Sequence, residues 1–137
     1  MALLLKVCTS SASATDNNAP VWNSKTNKIG WSAYLSDLIE QGVEIPAFAA
    51  AARTKDYSVL PPTISFVGDL EPFRDETIAY MENIKKAGIP IEFKFFKGCF
   101  HAFEIILPKL EISKEAWTFL LDSYSNYVDK YFYSPAK

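Results

Sequence analysis

The sequence predicts an α/β fold in which a small parallel sheet, of about three strands, is flanked by helices. Its 137 residues are enough for one domain, 49% of them are hydrophobic, and strand patterns alternate with helix patterns along the chain. Such an order favours parallel strands joined by right-handed crossovers. Three strands would leave two long apolar edges unpaired, so we expect an incomplete sheet.

The N-terminal half contains the first predicted strand and one helix. The apolar run 3–8 predicts a buried strand, and the Thr/Ser/Asn-rich stretch 9–18 predicts an irregular loop. Apolar residues recur at helical spacing over 29–39 and stop at Gly42, which predicts one helix capped by glycine. The proline-bounded stretch 43–60 predicts a connection with at most one turn of helix.

The C-terminal half has clearer boundaries. Residues 63–68 and 89–96 are rich in β-branched and aromatic residues, and each run is followed by or ends in glycine, which predicts two strands. Between them, Pro72 and two acidic residues predict a helix start, and Gly88 predicts its end. Ser113 is expected to cap a last helix. The apolar face expected to be core comprises Trp117, Leu120, Leu121, Tyr124, Tyr127, Val128 and Tyr131.

Composition excludes several functional classes. The chain has 14 Lys plus Arg against 16 Asp plus Glu, a net charge of -2, and no basic run longer than Lys85-Lys86, so we expect no nucleic-acid partner. The leading apolar run is too short for a membrane span or a secretion signal. Cys8 and Cys99 form no metal-binding or disulfide pattern, so we expect free thiols, a cytoplasmic location, no metal and no cofactor.

Chemistry-bearing residues follow the second and third predicted strands. Asp69 and Glu71 come directly after 63–68, and His101, the single histidine of the chain, comes shortly after 89–96. Because the carboxyl ends of neighbouring parallel strands meet at one sheet edge, an acid there can reach the imidazole and fix its tautomer. This is the acid and base part of a catalytic relay. The simpler alternative is a structural histidine.

Several runs in this region together resemble the C-terminal half of the hormone-sensitive-lipase-like esterases of the α/β-hydrolase superfamily. They are Leu60-Pro61-Pro62-Thr63, Glu71-Pro72-Phe73-Arg74-Asp75-Glu76, Ala87-Gly88-Ile89-Pro90-Ile91-Glu92-Phe93 and Gly98-Cys99-Phe100-His101-Ala102-Phe103. The resemblance implies a partial α/β-hydrolase fold that lacks the N-terminal half of its sheet. It also implies one incomplete domain over 1–137, in which 20–60 form a cap-like or pocket-like connection.

Carried over residue by residue, the resemblance implies that Glu71 is the triad acid and His101 the general base. The family usually has Asp at the position of Glu71, although Glu serves as the acid in some α/β-hydrolases. Asp69 is the alternative acid. Ala102 stands where the family commonly has glycine.

The nucleophile of the resembled family is missing from this sequence. No Gly-x-Ser-x-Gly elbow and no Gly-Gly pair occurs in the chain, so we expect it to begin after the nucleophile and to contain none. The resemblance therefore implies a serine carboxylesterase or lipase-type hydrolase for small esters that is inactive alone. One alternative is a non-catalytic assembly module that pairs through its sheet edges with a second copy or a separate N-terminal half. A weaker one is a hydrolase with Cys99 or Cys8 as nucleophile.

Overall fold

Two parallel strands lie at the centre of the computed structural model, which describes residues 12–133. Strands β1 (Thr63–Gly68) and β2 (Ile91–Phe96) pair in register, from Thr63 opposite Ile91 to Gly68 opposite Phe96. Both strands confirm the sequence prediction, although β2 begins two residues later than predicted. The predicted strand at 3–8 lies outside the described residues, and within 12–133 the sheet has two strands.

Helix α4 (Arg74–Lys86) connects the two strands and packs against both. Its buried side chains, Met81 and Ile84, are 2% and 0% exposed. Acidic residues occupy the first turn and basic residues the last, where they favour the helix dipole. Gly88 follows the C-cap with φ +83°, as predicted for a C-terminal glycine. The start was predicted at Pro72, but the helix begins at Arg74 because Pro72 lies buried in the preceding turn.

Two helices follow β2. Helix α5 (Phe103–Ile106) is a single short turn that the sequence analysis did not predict, and α6 (Glu111–Val128) is the predicted long helix. A π-helical turn, Asp129–Tyr133, continues α6. The prediction that Ser113 caps α6 was wrong. Ser113 lies inside the helix, fully buried, and its hydroxyl donates to the Phe103 carbonyl at 3.3 Å.

The core face predicted for α6 was wrong in part, since Leu120, Tyr127 and Val128 are half-buried but the other members are exposed. The side chains that α6 buries are small: Ser113, Ala116 and Ser123. Leu121 is 60% exposed and Tyr124 63%, with Trp117 and Tyr131 also exposed. Small side chains allow the helix to lie close to β1 and β2, so the contact stripe is shifted by one residue from the large apolar stripe.

The segment before β1 begins with α1 (Ala12–Thr15), where an irregular loop was expected. Tertiary contacts explain this helical turn. The hydroxyl of the buried Ser13 donates to the Glu76 carboxylate on α4. Asp16 then ends the turn, because its Oδ1 accepts the Asn18 N–H at 2.8 Å.

The single helix predicted at 29–39 is two helices, α2 (Ser24–Tyr34) and α3 (Ser36–Glu40). The first begins early because of a capping box. The Asn23 side chain accepts the Thr26 N–H at 3.2 Å, and the Thr26 hydroxyl accepts the Asn23 N–H at 2.9 Å. At the break between the helices, Leu35 is 1% exposed. Its burial in a small cluster explains the change of direction.

Two clusters of buried side chains hold the described part together. The larger one combines Phe96, Cys99, Phe103 and Ala116, and Phe66 packs edge-on against Phe96 with ring centroids 5.6 Å apart. The smaller cluster comprises Leu35, Ile45 and Ala50. It joins the break between α2 and α3 to the connection 43–60, whose helical content is the 3₁₀ turn Ala51–Arg53. No helix within 12–133 is both long and apolar enough to cross a membrane.

The loops after β1 and β2 are joined by close backbone contacts. Leu70 N–H donates to the Cys99 carbonyl at 3.0 Å, and Gly98 N–H donates to Asp69 Oδ1 at 2.6 Å. A Cβ atom on Gly68 would lie 2.1 Å from the Cys99 carbonyl oxygen. Only glycine therefore fits at the end of β1.

The variant Gly68→Ala should destabilise the fold by about 1–3 kcal/mol, because the new methyl group must displace backbone rather than a flexible side chain. Chemical denaturation of the full chain measures this. Gly30→Ala is the matched control, since a Cβ there meets the Trp22 ring at an ordinary 3.4 Å within a helix. Equal midpoints for wild type and Gly68→Ala would contradict the close approach.

Candidate active site

Glu71 and His101 form a hydrogen-bonded pair at the carboxyl ends of β1 and β2. The distance from His101 Nδ1 to Glu71 Oε2 is 2.8 Å. The other carboxylate oxygen, Oε1, accepts the backbone N–H of Phe73 at 3.3 Å. The Glu71 side chain is 11% exposed and that of His101 32%. Both carboxylate oxygens of Glu71 therefore have hydrogen-bond partners. The side chain of Glu, one methylene longer than that of Asp, reaches His101 Nδ1.

This pairing fixes the chemistry of the imidazole. A carboxylate only accepts hydrogen bonds, so Nδ1 of His101 carries the proton. In the neutral ring Nε2 is then the basic nitrogen, and no side chain within 12–133 hydrogen-bonds to it. The arrangement leaves His101 able to take a proton at Nε2, while Glu71 stabilises the resulting imidazolium.

Asp69, the alternative acid, lies in the same loop but binds elsewhere. Its Oδ1 accepts the Gly98 N–H, and its backbone carbonyl accepts from Arg74 Nη1 at 3.0 Å. Arg74 also pairs with Asp75 at 2.8 Å, and this hydrogen bond raises the pKa of the Arg74 guanidinium. Asp69 and Arg74 therefore hold the loops that carry Glu71 and His101.

Two aromatic side chains that the sequence analysis did not single out lie beside His101. The ring centroids of Trp22 and Phe73 are each 5.8 Å from that of His101, at interplanar angles of 38° and 73°. Phe73 lies just after Glu71 in the sequence, so its place beside the candidate site could have been predicted. Trp22 is distant in sequence, and no local pattern could place it at the imidazole.

A cavity of about 380 Å³ opens beside the pair. The polar residues that line it are Glu71, His101, Thr77 and Glu104. The remaining lining is apolar and comprises Phe66, Val67, Gly68, Phe73, Phe100, Ala102, Phe103 and Ile105. No serine or cysteine side chain of the described residues lines it. The cavity is concave and mostly apolar, as ester-binding and acyl-binding sites are.

Cys99 is the cysteine within the described residues, and its thiol is free and buried. Cys99 is 3% exposed, and burial, with the nearby charges of Asp69 and Glu104, raises the pKa of its thiol. A thiol held neutral is a poor nucleophile, so this environment disfavours Cys99 in that role. Cys8 lies outside the described residues. Among residues 12–133, no three His, Cys, Asp or Glu side chains are grouped as metal ligands would be.

The residue after His101 has a strained backbone. Ala102 adopts φ +60° and ψ 28°, in the left-handed region where glycine is favoured. An alanine there costs about 1–2 kcal/mol relative to ordinary backbone. This conformation gives a physical reason why the resembled family commonly has glycine at this position.

Sequence comparison with known families agrees with this geometry. A profile described as alpha/beta hydrolase fold matches residues 3–105. The chain belongs to the α/β-hydrolase fold family. The matched region includes both strands and the loops that carry Glu71 and His101. No functionally curated protein matches the sequence.

Solved structures similar to this α/β-hydrolase chain include esterases. A bacterial heroin esterase is 26% identical, with a TM-score of 0.68 over 81% of this chain and 34% of that one. An esterase from Pyrobaculum calidifontis is 21% identical, with a TM-score of 0.56 over 82% of this chain and 37% of that one, and supports the fold alone. The chain spans about a third of the length of these esterases.

The variant Ala102→Gly should stabilise this α/β-hydrolase-fold chain by up to about 1 kcal/mol. Relief of left-handed strain, about 1–2 kcal/mol, outweighs the roughly 0.4–1 kcal/mol by which glycine favours the unfolded chain. Ala87→Gly is the matched control because Ala87 has φ -76°, and it should destabilise instead. Thermal unfolding of both variants measures the difference. Equal destabilisation by the two substitutions would refute the strain.

Proposed function

We propose that this chain carries the acid and the base of a serine carboxylesterase triad, with Glu71 as the acid and His101 as the general base. The observation that carries the proposal is the 2.8 Å bond from His101 Nδ1 to Glu71 beside a mostly apolar cavity. Likeness to solved esterases and membership of the α/β-hydrolase family support the same reaction class.

In the proposed reaction, Nε2 of His101 takes the proton of a serine hydroxyl as the serine oxygen attacks the ester carbonyl. Glu71 stabilises the imidazolium formed in this step. The imidazolium then gives its proton to the departing alkoxide, which leaves as an alcohol, and an acyl-enzyme remains. A water molecule, deprotonated by the same Nε2, then attacks the acyl carbon. The bond from this carbon to the serine oxygen breaks, the imidazolium returns its proton to that oxygen, and the carboxylic acid and free serine result.

The serine of the proposed triad comes from polypeptide that this sequence does not contain. The sequence has no Gly-x-Ser-x-Gly elbow, and the chain spans about a third of the similar esterases. We propose that an N-terminal part, on the same or another polypeptide, supplies the elbow and the oxyanion loop. The chain alone is then inactive, and small esters are substrates of the completed site.

Residues 20–60 are proposed to act as a cap over the completed site. Trp22, near the start of this segment, reaches the imidazole of His101, and the segment has its own buried cluster around Leu35. A cytoplasmic location is a further part of the proposal, supported by the unpaired thiol of Cys99.

The proposal is tested by adding the chain to the N-terminal part of a related esterase that has the elbow and oxyanion loop but lacks the histidine. Alone, the chain should hydrolyse a short-chain nitrophenyl ester no faster than His101→Ala does, since loss of the nucleophile costs on the order of a million-fold in turnover. Mixed with the N-terminal part, wild type should gain activity. Glu71→Gln should lower it by as much as about ten-thousand-fold, because the imidazole loses its tautomer.

Asp69→Asn is the matched control, because an Asn oxygen can still accept from Gly98 and hold the loop. It should retain most of the activity. If Asp69→Asn abolished hydrolysis and Glu71→Gln spared it, Asp69 would be the acid. Activity of the chain alone above His101→Ala would reveal a nucleophile within it, and Thr77→Val and Cys8→Ser would then identify the group.

A second candidate function is assembly without catalysis, and the exposed face of α6 favours it. Trp117, Leu121 and Tyr124 lie one helical turn apart and are 41–63% exposed. We name these three side chains the α6 apolar patch. Contiguous exposed apolar surface marks interaction sites in soluble proteins. The proposed occupant is a second copy of this chain.

Sedimentation velocity of the purified chain should show self-association that increases with concentration. Leu121→Glu should shift the distribution toward monomer, because a carboxylate in an apolar contact is costly. Val59→Glu is the control, since Val59 is 78% exposed and lies outside the patch. A monodisperse wild-type monomer at high concentration would count against the assembly function.

A further inference from the structure

Two aromatic rings flank the proposed catalytic base. His101 lies 5.8 Å from both Trp22 and Phe73, and the latter two rings are 6.3 Å apart at 43°. We infer that Trp22 is a positioning residue, which holds the imidazole of His101 in the orientation that Glu71 requires. The inference rests on the proposed function and extends it to a residue far away in the sequence.

The backbone around Trp22 is shaped to bring the indole to the imidazole. Val21 has φ +68°, a rare conformation for a β-branched residue, and the Trp22 N–H donates to the Pro20 carbonyl at 2.8 Å. A Cβ atom on Gly30 of α2 would lie 3.4 Å from the Trp22 ring. Strained backbone of this kind persists where surrounding contacts require it and clusters at functional sites.

The polar atom of the indole does not explain its position. Trp22 Nε1 is buried and has no hydrogen-bond partner within 12–133. Leaving an N–H without a partner is unfavourable, so the ring is held in this place by its faces and edges. The rings that it contacts are those of Phe73 and His101, and it also packs against Gly30.

Trp22 and Phe73 restrict the imidazole in complementary ways. Phe73 donates its backbone N–H to Glu71 and places its ring edge-on to His101, so it contacts both members of the pair. Trp22 contacts the imidazole as well, at a centroid distance of 5.8 Å and an angle of 38°, so the two aromatic rings together oppose rotation of the imidazole away from Glu71.

Hydrogen exchange of the His101 Nδ1–H in the full chain tests the inference. The chain has one histidine, so ¹⁵N labelling of histidine gives signals from His101 alone. Trp22→Leu should accelerate exchange about fivefold, which corresponds to about 1 kcal/mol of lost aromatic contact. Trp22→Phe keeps an aromatic ring and should restore most of the protection.

Trp31→Leu is the matched control, because Trp31 lies on the same segment and packs against Leu35, Ile45 and Ala50 instead. It should leave exchange of the Nδ1–H unchanged. Equal acceleration in Trp31→Leu and Trp22→Leu, or none in Trp22→Leu, would overturn the inference.

Glu71→Gln separates this inference from the proposed function. Loss or faster exchange of the Nδ1–H in Glu71→Gln, with no change in Trp22→Leu, would refute the role of Trp22 and leave the acid–base pair intact. An unchanged Nδ1–H in Glu71→Gln would refute the pair itself. The expected result is loss or faster exchange in Glu71→Gln, and faster exchange in Trp22→Leu that Trp22→Phe restores.

Discussion

The loops that follow the two parallel strands pack against each other where Gly68 lies close to the Cys99 carbonyl. The hydrogen bond from Gly98 to Asp69 adds a second connection, and both depend on the register in which β1 and β2 pair. A shift between the strands would separate these loops and also the Glu71–His101 pair. The geometry of the candidate site is therefore a consequence of backbone packing at one edge of the sheet.

Backbone strain is concentrated around the imidazole. Val21 and Ala102 are the residues within 12–133, other than glycine, that have positive φ. Val21 precedes Trp22, and Ala102 directly follows His101. Each turn costs free energy, yet together they bring an indole and an imidazole into contact. A polar pair on one side and aromatic rings on the other thus define one orientation for the base.

Local sequence patterns predicted the parts of the fold that local forces determine. The strands at 63–68 and 91–96 and the glycine end of α4 at Gly88 follow from β-branched runs and capping chemistry. The contact face of α6 followed only in part, because close packing against the strands selects small residues and leaves Leu121 and Tyr124 exposed. The contact between Glu71 and His101 was predictable because strand ends meet at one edge, whereas the contact of Trp22 with His101 depends on tertiary folding.

The tautomer of His101 tests the central claim, that Glu71 orients the proposed base, most directly. When the imidazole of His101 is neutral, ¹⁵N chemical shifts should show a proton on Nδ1 and none on Nε2, because the Glu71 carboxylate accepts from Nδ1. Glu71→Gln should change this distribution, and Asp69→Asn should preserve it. A wild-type imidazole protonated mainly on Nε2, or a tautomer that responds to Asp69→Asn rather than Glu71→Gln, would contradict the account.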